Sequence, residues 1–593
     1  MIAERPEAIA QVKPGGTFLI EAASLADVYT PEDFTPDMRE MYRAVEEFVK
    51  ARVVTNQESL EHHNNELLKK ILHECGEQGF FLVEVPEEFG GLDLSKSMAS
   101  YVGEALSRGG GFAVSFGAHA SIGMLPLVYF GSQETKEKYL PDMANGKLIG
   151  AYCLSEPGSG SDAQAAKAKA VLSEDGSHYV LNGTKMWISN GGIADMFTVF
   201  AHVPTADGNK FSAFLVERAF AGVSTGKEEE KLGIRLSSTT QLILEDVKVP
   251  VANLLGEVGW GAKIAFNILN IGRYKLGSGG AGGSKVILEH SAKYAKERHS
   301  FGKPIASYGA ILEKLGQMAT SIFAAETITY RVTGAIDAAV DKGMDKLKAI
   351  ETHRVEASMV KVFATEVLSM CADEGLQVFG GFGYSEEYPM ARAYRDARIN
   401  RIFEGTNEIN RMLIPGELLK MALKGELPLL KAAQKLQAEL LEPNFDLDES
   451  DAPLANETKV VANLKKAALA VAGSAAQKFG PKLGEEQETM MRTADMIIQA
   501  YVAESAVVRA QKVIASGKNA GVATAMAQIL VAQAADKTMS AGREAISSFL
   551  EGDDFRMTMA ALKRFTKTET VNIIQLRREV AAAVLEADGY PLK

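Results

Sequence analysis

The sequence predicts an α+β protein in which a β domain interrupts a mostly helical chain. Three observations carry this. Apolar residues recur at helical spacing from Asp37 to about residue 148, and again from about residue 257 onward. Between these stretches, residues 149–256 break into short β-prone runs separated by Gly, Asn, Asp and Pro. The length of 593 residues suggests about four domains at roughly 150 residues each. The expected order is a leader (1–36), an N-terminal helical domain (37–148), a middle antiparallel β domain (149–256), a four-helix bundle (257–419) and an extra C-terminal helical domain (420–593).

Each element has its own signal. The leader carries Pro and Gly and little periodicity. "MREMYRAVEEFVKARV" places Met41, Val45, Phe48, Val49 and Val53 on one helical face. "NELLKKILHECGEQG" continues the helical pattern until "VPEEFGGLDLS" marks a loop. The runs "HYVLNGTKMWIS", "MFTVFAHV", "KFSAFLVE" and "TTQLILEDVKVP" read as strands, with "LNGTK" as a turn signal. From "GWGAKIAFNILNIGRYKLG" the pattern returns to long amphipathic helices, which form a bundle. After about residue 420 come further Ala-rich helical stretches, joined by "LLEPNFDLDESDAPLANE", an acidic segment expected to be exposed.

Composition narrows the function. A hydrophobic fraction of 46% and a charged fraction of 24% are ordinary for a globular protein. The net charge of −12 argues against nucleic acid as the main partner, since phosphate backbones need clustered Lys and Arg. Three scattered cysteines, Cys75, Cys153 and Cys371, fit a reducing compartment and no disulfide framework. Without CxxC or HExxH no metal site is expected, and the adjacent His62 and His63 read as surface residues. The first residues lack a signal-peptide pattern, and no run of about 18 apolar residues stands out. The expectation is a soluble, cytoplasmic protein.

Two glycine-rich stretches invite a nucleotide reading and fail it. "LGSGGAGGSK" (276–285) lacks the G-K-[ST] ending and follows a helical pattern, so close helix packing explains it better. "VFGGFGYSEEYP" lacks the GxGxxG spacing. "RIFEGTNEIN" (401–410) is more informative. It sets Glu404 between bulky apolar residues and a Gly-Thr-Asn turn. Such a glutamate is either a solvated loop carboxylate or, against an apolar wall, a base of raised pKa. These ten residues leave both readings open.

Five stretches, in order and well spaced, decide further: "AYCLSEPGSGSDA", "KMWISNGG", "ERHSFGKPI", "QVFGGFGYSEEYPMARAYRDARI" and "RIFEGTNEINR". Together they resemble the acyl-CoA dehydrogenases over roughly residues 40 to 415. "FGAHASIG" (116–123), "LNIGR" (269–273) and the helical extension are similar to the very-long-chain subgroup. The resemblance implies the fold of that family and FAD as cofactor. It implies that Glu404 removes the α-proton of an acyl-CoA while the β-hydride passes to flavin N5. The backbone N–H of Glu404 would share the thioester oxygen with a flavin ribityl hydroxyl. Some relatives carry the base just before the arginine that matches Arg273, but this chain has Gly272 there.

The same resemblance assigns the flavin site to Tyr152, Leu154, Ser155, Ser161, Trp187, Ile188, Ser189, Gln377, Gly380, Gly381, Thr406, Asn407 and Glu408. Arg298 and Phe301 would serve the flavin of a neighbouring subunit in a homodimer. Ser161, Asn270, Arg273 and Gly405 would meet the acyl-CoA. The small residues Gly117, Ala118, Ala120 and Gly123 would leave room for a long acyl chain. An electron-transfer flavoprotein would take the electrons. An acyl-CoA oxidase, or a scaffold that keeps the fold for complex assembly, remains the alternative. The extension would cover the surface that shorter, tetrameric relatives use between dimers. "LKMALKGELPLLKAAQKLQAELL", with Lys420, Lys424, Lys431 and Lys435, reads as a bundle helix or as a peripheral membrane contact.

Overall fold

The computed structural model describes residues 13–441 and 452–592. The expected exposed link around 442–451 therefore lies outside the described residues. The chain divides into two compact units. One comprises Thr35–Lys275 and Arg395–Ile399; the other comprises residues up to Phe34, Leu276–Tyr394, and those from Asn400 onward.

The first unit joins short helices to an eight-stranded sheet. Helix Pro36–Arg52 starts where sequence chemistry dictates: the Thr35 side chain accepts the Met38 N–H, and Pro36 has no N–H to satisfy. Val45, Val49 and Val53 are fully buried on the face read from the sequence. Asn64 caps Asn65–Glu77, and Ser95 caps Lys96–Leu106, in the same way. Next come Phe112–Gly117, a π-helical turn at Ala118–Gly123, and Leu125–Phe130. Phe112–Phe130 is apolar and long enough to cross a membrane, which the sequence reading overlooked; 67% of the window is buried inside the protein, as in a core helix.

The strands are β1 (Gly150–Cys153), β2 (Lys169–Leu172), β3 (His178–Ser189), β4 (Met196–Thr205), β5 (Gly208–Glu217), β6 (Val223–Thr225), β7 (Thr239–Pro250) and β8 (Leu254–Leu255). Their order is β6-β7-β3-β2-β4-β5-β8, and β1 pairs with β4. Most pairs are antiparallel, as expected; β1 lies parallel to β4, in register Gly150 to Met196. One turn expectation fails. "LNGTK" lies inside β3, where a bulge falls between Leu181 and Gly183. A Cβ at Gly183 would sit 2.7 Å from the Cβ of Ala168 on the chain entering β2. The glycine serves close strand approach, not chain reversal.

The second unit is helical. Gly309–Asp341 and Arg354–Phe379 are almost wholly buried along their middles. Helix Gly261–Glu297 contributes Gly277 and Gly280 to this packing: a Cβ at Gly280 would lie 2.8 Å from the Ala364 carbonyl oxygen. The glycine-rich stretch is thus a helix contact, as read. The extension supplies Ala455–Phe479, Gln487–Ser516, Ala520–Phe549, Gly552–Phe565 and Ile573–Glu586. Residues 13–34 form 3-10 turns fixed to these helices: Glu504 accepts the Ala23 N–H at 2.9 Å, and Lys512 donates to the Val28 carbonyl at 2.6 Å. "LKMALKGELPLLKAAQKLQAELL" is split between Asn407–Leu423 and Leu429–Leu441, with Leu423 and Leu430 exposed.

Candidate active site

The candidate residues fall in both units. In the sheet-bearing unit, β1 delivers Tyr152 to the start of a loop, residues 154–161. Tyr152 packs edge-on against Phe200 at 5.1 Å. The loop is fixed from beneath by a pair that the sequence reading missed. Lys185 of β3, fully buried, donates to Glu156 at 2.7 Å, and Glu156 also accepts the Lys167 and Ala168 N–H groups at 2.6 and 3.0 Å. These bonds hold the Glu156 carboxyl below its usual pKa against the opposing effect of burial, the largest single influence. Gly158 and Gly160 follow with open space where a Cβ would stand, and Ser161 is exposed beside them.

Trp187 occupies the second irregularity of β3, between Lys185 and Ile188. Its φ of 63° is left-handed, rare for a bulky residue, and its ring is 59% exposed. Ile188 points into the sheet core, so only its backbone is available to a ligand. Leu154 is likewise buried, while Ser155 and Ser189 are half-buried. The Ser155 carbonyl accepts the Met186 N–H at 2.9 Å. The loop therefore lies against the strand that carries Trp187.

Asn270 and Arg273, one helical turn apart, are both buried, and Arg273 donates to Asn270 at 2.8 Å. A buried guanidinium positioned by a neighbouring amide suits an oxygen-rich ligand. Near the π-helical turn, His119 is fully buried. Its Nδ1 accepts the Gly150 N–H at 2.8 Å, and its Nε2 donates to the Met143 carbonyl at 3.0 Å. Burial lowers its pKa to about 4, so it is neutral. A Cβ at Gly117 would meet nothing within 4 Å, whereas one at Gly123 would lie 2.4 Å from the Ala118 carbonyl oxygen. The small residues are not equivalent: Gly117 borders open space, and Gly123 permits a tight turn.

In the helical unit, Glu404 sits on a turn between helices Pro389–Ile399 and Asn407–Leu423. Its φ is 57°, and Gly405 follows at 79°. A left-handed glutamate persists only where its surroundings overdetermine it. Here they do. Lys361 donates to the Gly405 carbonyl at 2.7 Å. Asn410 donates to the carbonyls of Gly405 and Thr406 at 2.9 and 3.0 Å. The Thr406 hydroxyl caps the following helix by accepting the Ile409 N–H. Glu404 itself is half-buried.

Asn407, read as a cofactor residue, has its side chain turned inward. It accepts from Lys361 at 2.7 Å and donates to Glu366 at 3.0 Å. Its amide therefore holds the turn, and only its backbone could meet a ligand. Glu408 is exposed on the first helical turn, and its own backbone N–H, before the Thr406 hydroxyl and the more distant cations, lowers its pKa.

A third group lies where helix Gly261–Glu297 ends beside the end of Arg354–Phe379, with Tyr294 stacked on Phe379 at 4.0 Å. His299–Ser300 and Lys303–Pro304 pair as a minimal hairpin. Phe301 and Gly302 at its tip both have positive φ, 51° and 83°. This turn suits a two-residue hairpin and leaves the Phe301 ring 97% exposed. Arg298 lies over the Phe382 ring at 5.5 Å. Gln377, Gly380 and Gly381 are exposed, and a Cβ at either glycine would meet nothing within 4 Å.

Among the described residues no cluster of His, Cys, Asp or Glu could hold a metal, and all three cysteines are free and buried. His62 is exposed as read; His63 is half-buried at a left-handed turn.

Sequence comparison agrees with the fold. The descriptions "Acyl-CoA dehydrogenase, N-terminal domain", "middle domain" and "C-terminal domain" match residues 35–147, 151–247 and 259–419, and a further "C-terminal domain" matches 463–564. A probable acyl-CoA dehydrogenase of Bacillus subtilis (strain 168) is 46% identical over 98% of this chain and 99% of its own length. The very long-chain specific acyl-CoA dehydrogenase of Rattus norvegicus mitochondria is 40% identical over 59% of this chain, spanning 54% of that protein. The crystal structure of an acyl-CoA dehydrogenase complexed with FAD from Bacillus anthracis matches with a TM-score of 0.94 and 45% identity, covering 98% of this chain and all of that one.

The chain belongs to the acyl-CoA dehydrogenase family. Its activity is that of an acyl-CoA dehydrogenase, and its cofactor is FAD. The residues present fit that group. Gly158, Gly160, Gly380 and Gly381 leave bare backbone for close approach, the Trp187 face is open, and Arg298 is an exposed cation suited to phosphate.

Proposed function

We propose that the protein converts long-chain acyl-CoA to trans-2-enoyl-CoA in fatty-acid β-oxidation, with Glu404 as the base that removes the α-proton. The observation that carries this reading is the turn of Glu404: a left-handed carboxylate-bearing residue clamped by Lys361 and Asn410. A weakly acidic α-C–H needs a positioned base and stabilisation of the charge that develops on the thioester oxygen. The Glu404 carboxylate supplies the first. Its own backbone N–H, aimed by the same turn, supplies part of the second. FAD, when bound, supplies the hydride acceptor. The flavin contacts come from residues 152–161, from Trp187 and Ser189, from the backbone at Ile188 and Asn407, and from Gln377, Gly380, Gly381, Thr406 and Glu408. Arg298 and Phe301 serve the flavin of a second copy in a homodimer. Asn270 and Arg273, with Ser161 and Gly405, hold the acyl-CoA. The preference for a long chain rests on the open space at Gly117.

Glu404→Gln tests the assignment. The variant keeps shape and flavin, and anaerobic reduction of the bound flavin by a long acyl-CoA slows by several kcal/mol of barrier, on the order of thousands-fold or more. Reduction at the wild-type rate refutes the base. The electron acceptor is an electron-transfer flavoprotein. Stoichiometric hydrogen peroxide on turnover in air identifies an oxidase instead.

A further inference from the structure

Most buried charges of the C-terminal extension end on other structural residues. One does not. Asp495, on helix Gln487–Ser516, accepts from Arg411 at 2.7 Å. Arg411 also forks onto Glu366, at 2.7 and 3.0 Å. Glu366 accepts from the Asn407 amide at 3.0 Å, and the oxygen of that amide accepts from Lys361 at 2.7 Å. Lys361, fully buried, donates at 2.7 Å to the carbonyl of Gly405, the residue after Glu404.

The chemistry of this chain is directional. An amide has one accepting and one donating end. Glu366 takes the donating end of Asn407, so the accepting end faces Lys361. Glu366 is itself surface-facing and would be free to rotate. The planar fork of Arg411 fixes it, and Asp495 fixes Arg411 from the other side.

We infer that Asp495 of the extension is a positioning residue for the reaction: through Arg411, Glu366 and Asn407 it sets the turn that carries Glu404. This rests on Glu404 being the base. It gives the extension a part in turnover besides packing. No contact of Asp495 with substrate or cofactor is required, and its effect falls on the chemical step, where small misplacements of a base are costly.

The test uses the full-length holoenzyme and rapid anaerobic flavin reduction by a saturating long-chain acyl-CoA. Asp495→Asn keeps the shape and removes the charge. The expected result is reduction about tenfold slower per bound flavin, with unchanged half-saturating substrate, flavin content and Tm. Asp495→Glu recovers part of the rate. Arg411→Lys, which keeps the charge and loses the fork, slows reduction too, and adding Asp495→Asn to it costs no more, because both act on one path. Arg556→Ala, elsewhere in the extension and paired to Asp553, leaves the rate unchanged. A merely structural Asp495 would lower Tm or flavin content and leave the rate per flavin intact. That result, or losses that multiply in the double variant, overturns the inference. Glu404→Gln separates the two claims: if it reduces flavin normally, the base assignment falls, whereas a dead Glu404→Gln beside a normal Asp495→Asn removes only the positioning role.

Discussion

The sheet and the helical unit are held together in different ways. The sheet core is mainly apolar: Phe197, Val199, Phe214, Val216, Leu242, Val247 and Val249 are fully buried, beside the buried Lys185–Glu156 pair. The helical unit buries charge. Arg509, wholly inside, pairs with Glu326 at 2.6 Å and with Glu32 at 3.0 Å. Arg331 pairs with Glu504 at 2.8 Å, and Lys465 reaches the same carboxylate. Lys285 reaches Glu326, and the Tyr590 hydroxyl donates to it at 3.1 Å. Apolar contact is tolerant of exchange at equal volume. Buried ion pairs contribute little net stability, yet they punish any arrangement that separates them. The sheet is therefore defined by its volume and the helical unit by its partners.

The largest expected effect tests this difference directly. Arg509→Ala leaves Glu32 without its cation and Glu326 with Lys285 alone, and costs about 3–5 kcal/mol. Phe214→Ala removes a ring from the sheet and costs about as much, through the cavity it leaves. The two separate when volume is restored. Arg509→Met stays strongly destabilised in chemical denaturation, because the charges remain, whereas Phe214→Leu recovers most of the loss. Equal recovery at both sites would remove the distinction.

Acid sharpens the comparison next. His119, in the sheet-bearing unit, has a folded pKa of about 4, below the unfolded value near ~6.5. Its neutral form is thus favoured by folding. The contribution is complete above about pH 6.5 and is lost as the pH falls toward 4, amounting to about 3 kcal/mol. Protonation places a proton on Nδ1, where the Gly150 N–H donates. Glu326 and Glu504 are also lowered in pKa, by nearby cations working against burial. Their contribution is present above the ordinary carboxylate range and is lost only below it. Stability measured from pH 7 to 4.5 should fall in the wild type and stay flatter in His119→Gln.

The smallest effect on stability carries the most information about substrate. Gly117→Val fills open space, changes Tm little, and shifts the preferred acyl chain toward shorter lengths. Each excluded methylene forfeits about 0.8 kcal/mol of burial. Gly123→Ala does the reverse: it strains the π-helical turn against the Ala118 carbonyl and destabilises the fold. An unchanged chain-length profile in a well-folded Gly117→Val variant would show that the space at Gly117 does not receive the chain.

The sequence made local features legible and left distant ones hidden. Val45, Val49 and Val53 announced a buried helical face, and the four long β-prone runs are all strands. Glu404 was visible because its turn is written in consecutive residues. The Asn-Gly pair at 182–183 misled because a bulge and a hairpin ask the same freedom of a glycine. Which one forms depends on Ala168, fourteen residues upstream of Asn182 in sequence and adjacent only once β2 and β3 pair. Asp495 and Arg411 stand 84 residues apart, and Glu156 and Lys185 stand 29 apart. A charge pattern names no partner at such distances. The apolar stretch at Phe112–Phe130 shows the same limit from the other side, since its burial is a property of its neighbours.

The tie between Glu32 and Arg509 spans 477 residues of chain. At about 5–20 residues per second of synthesis, roughly half a minute to a minute and a half separates the two ends of that bond. During this time the helical faces that await residues 455–592 are made but uncovered, and Glu326 has no guanidinium to meet. The sheet, whose strands run from Gly150 to Leu255, can close meanwhile. A growing chain of this protein therefore carries one part that can close early and another that must wait for its C-terminal partners.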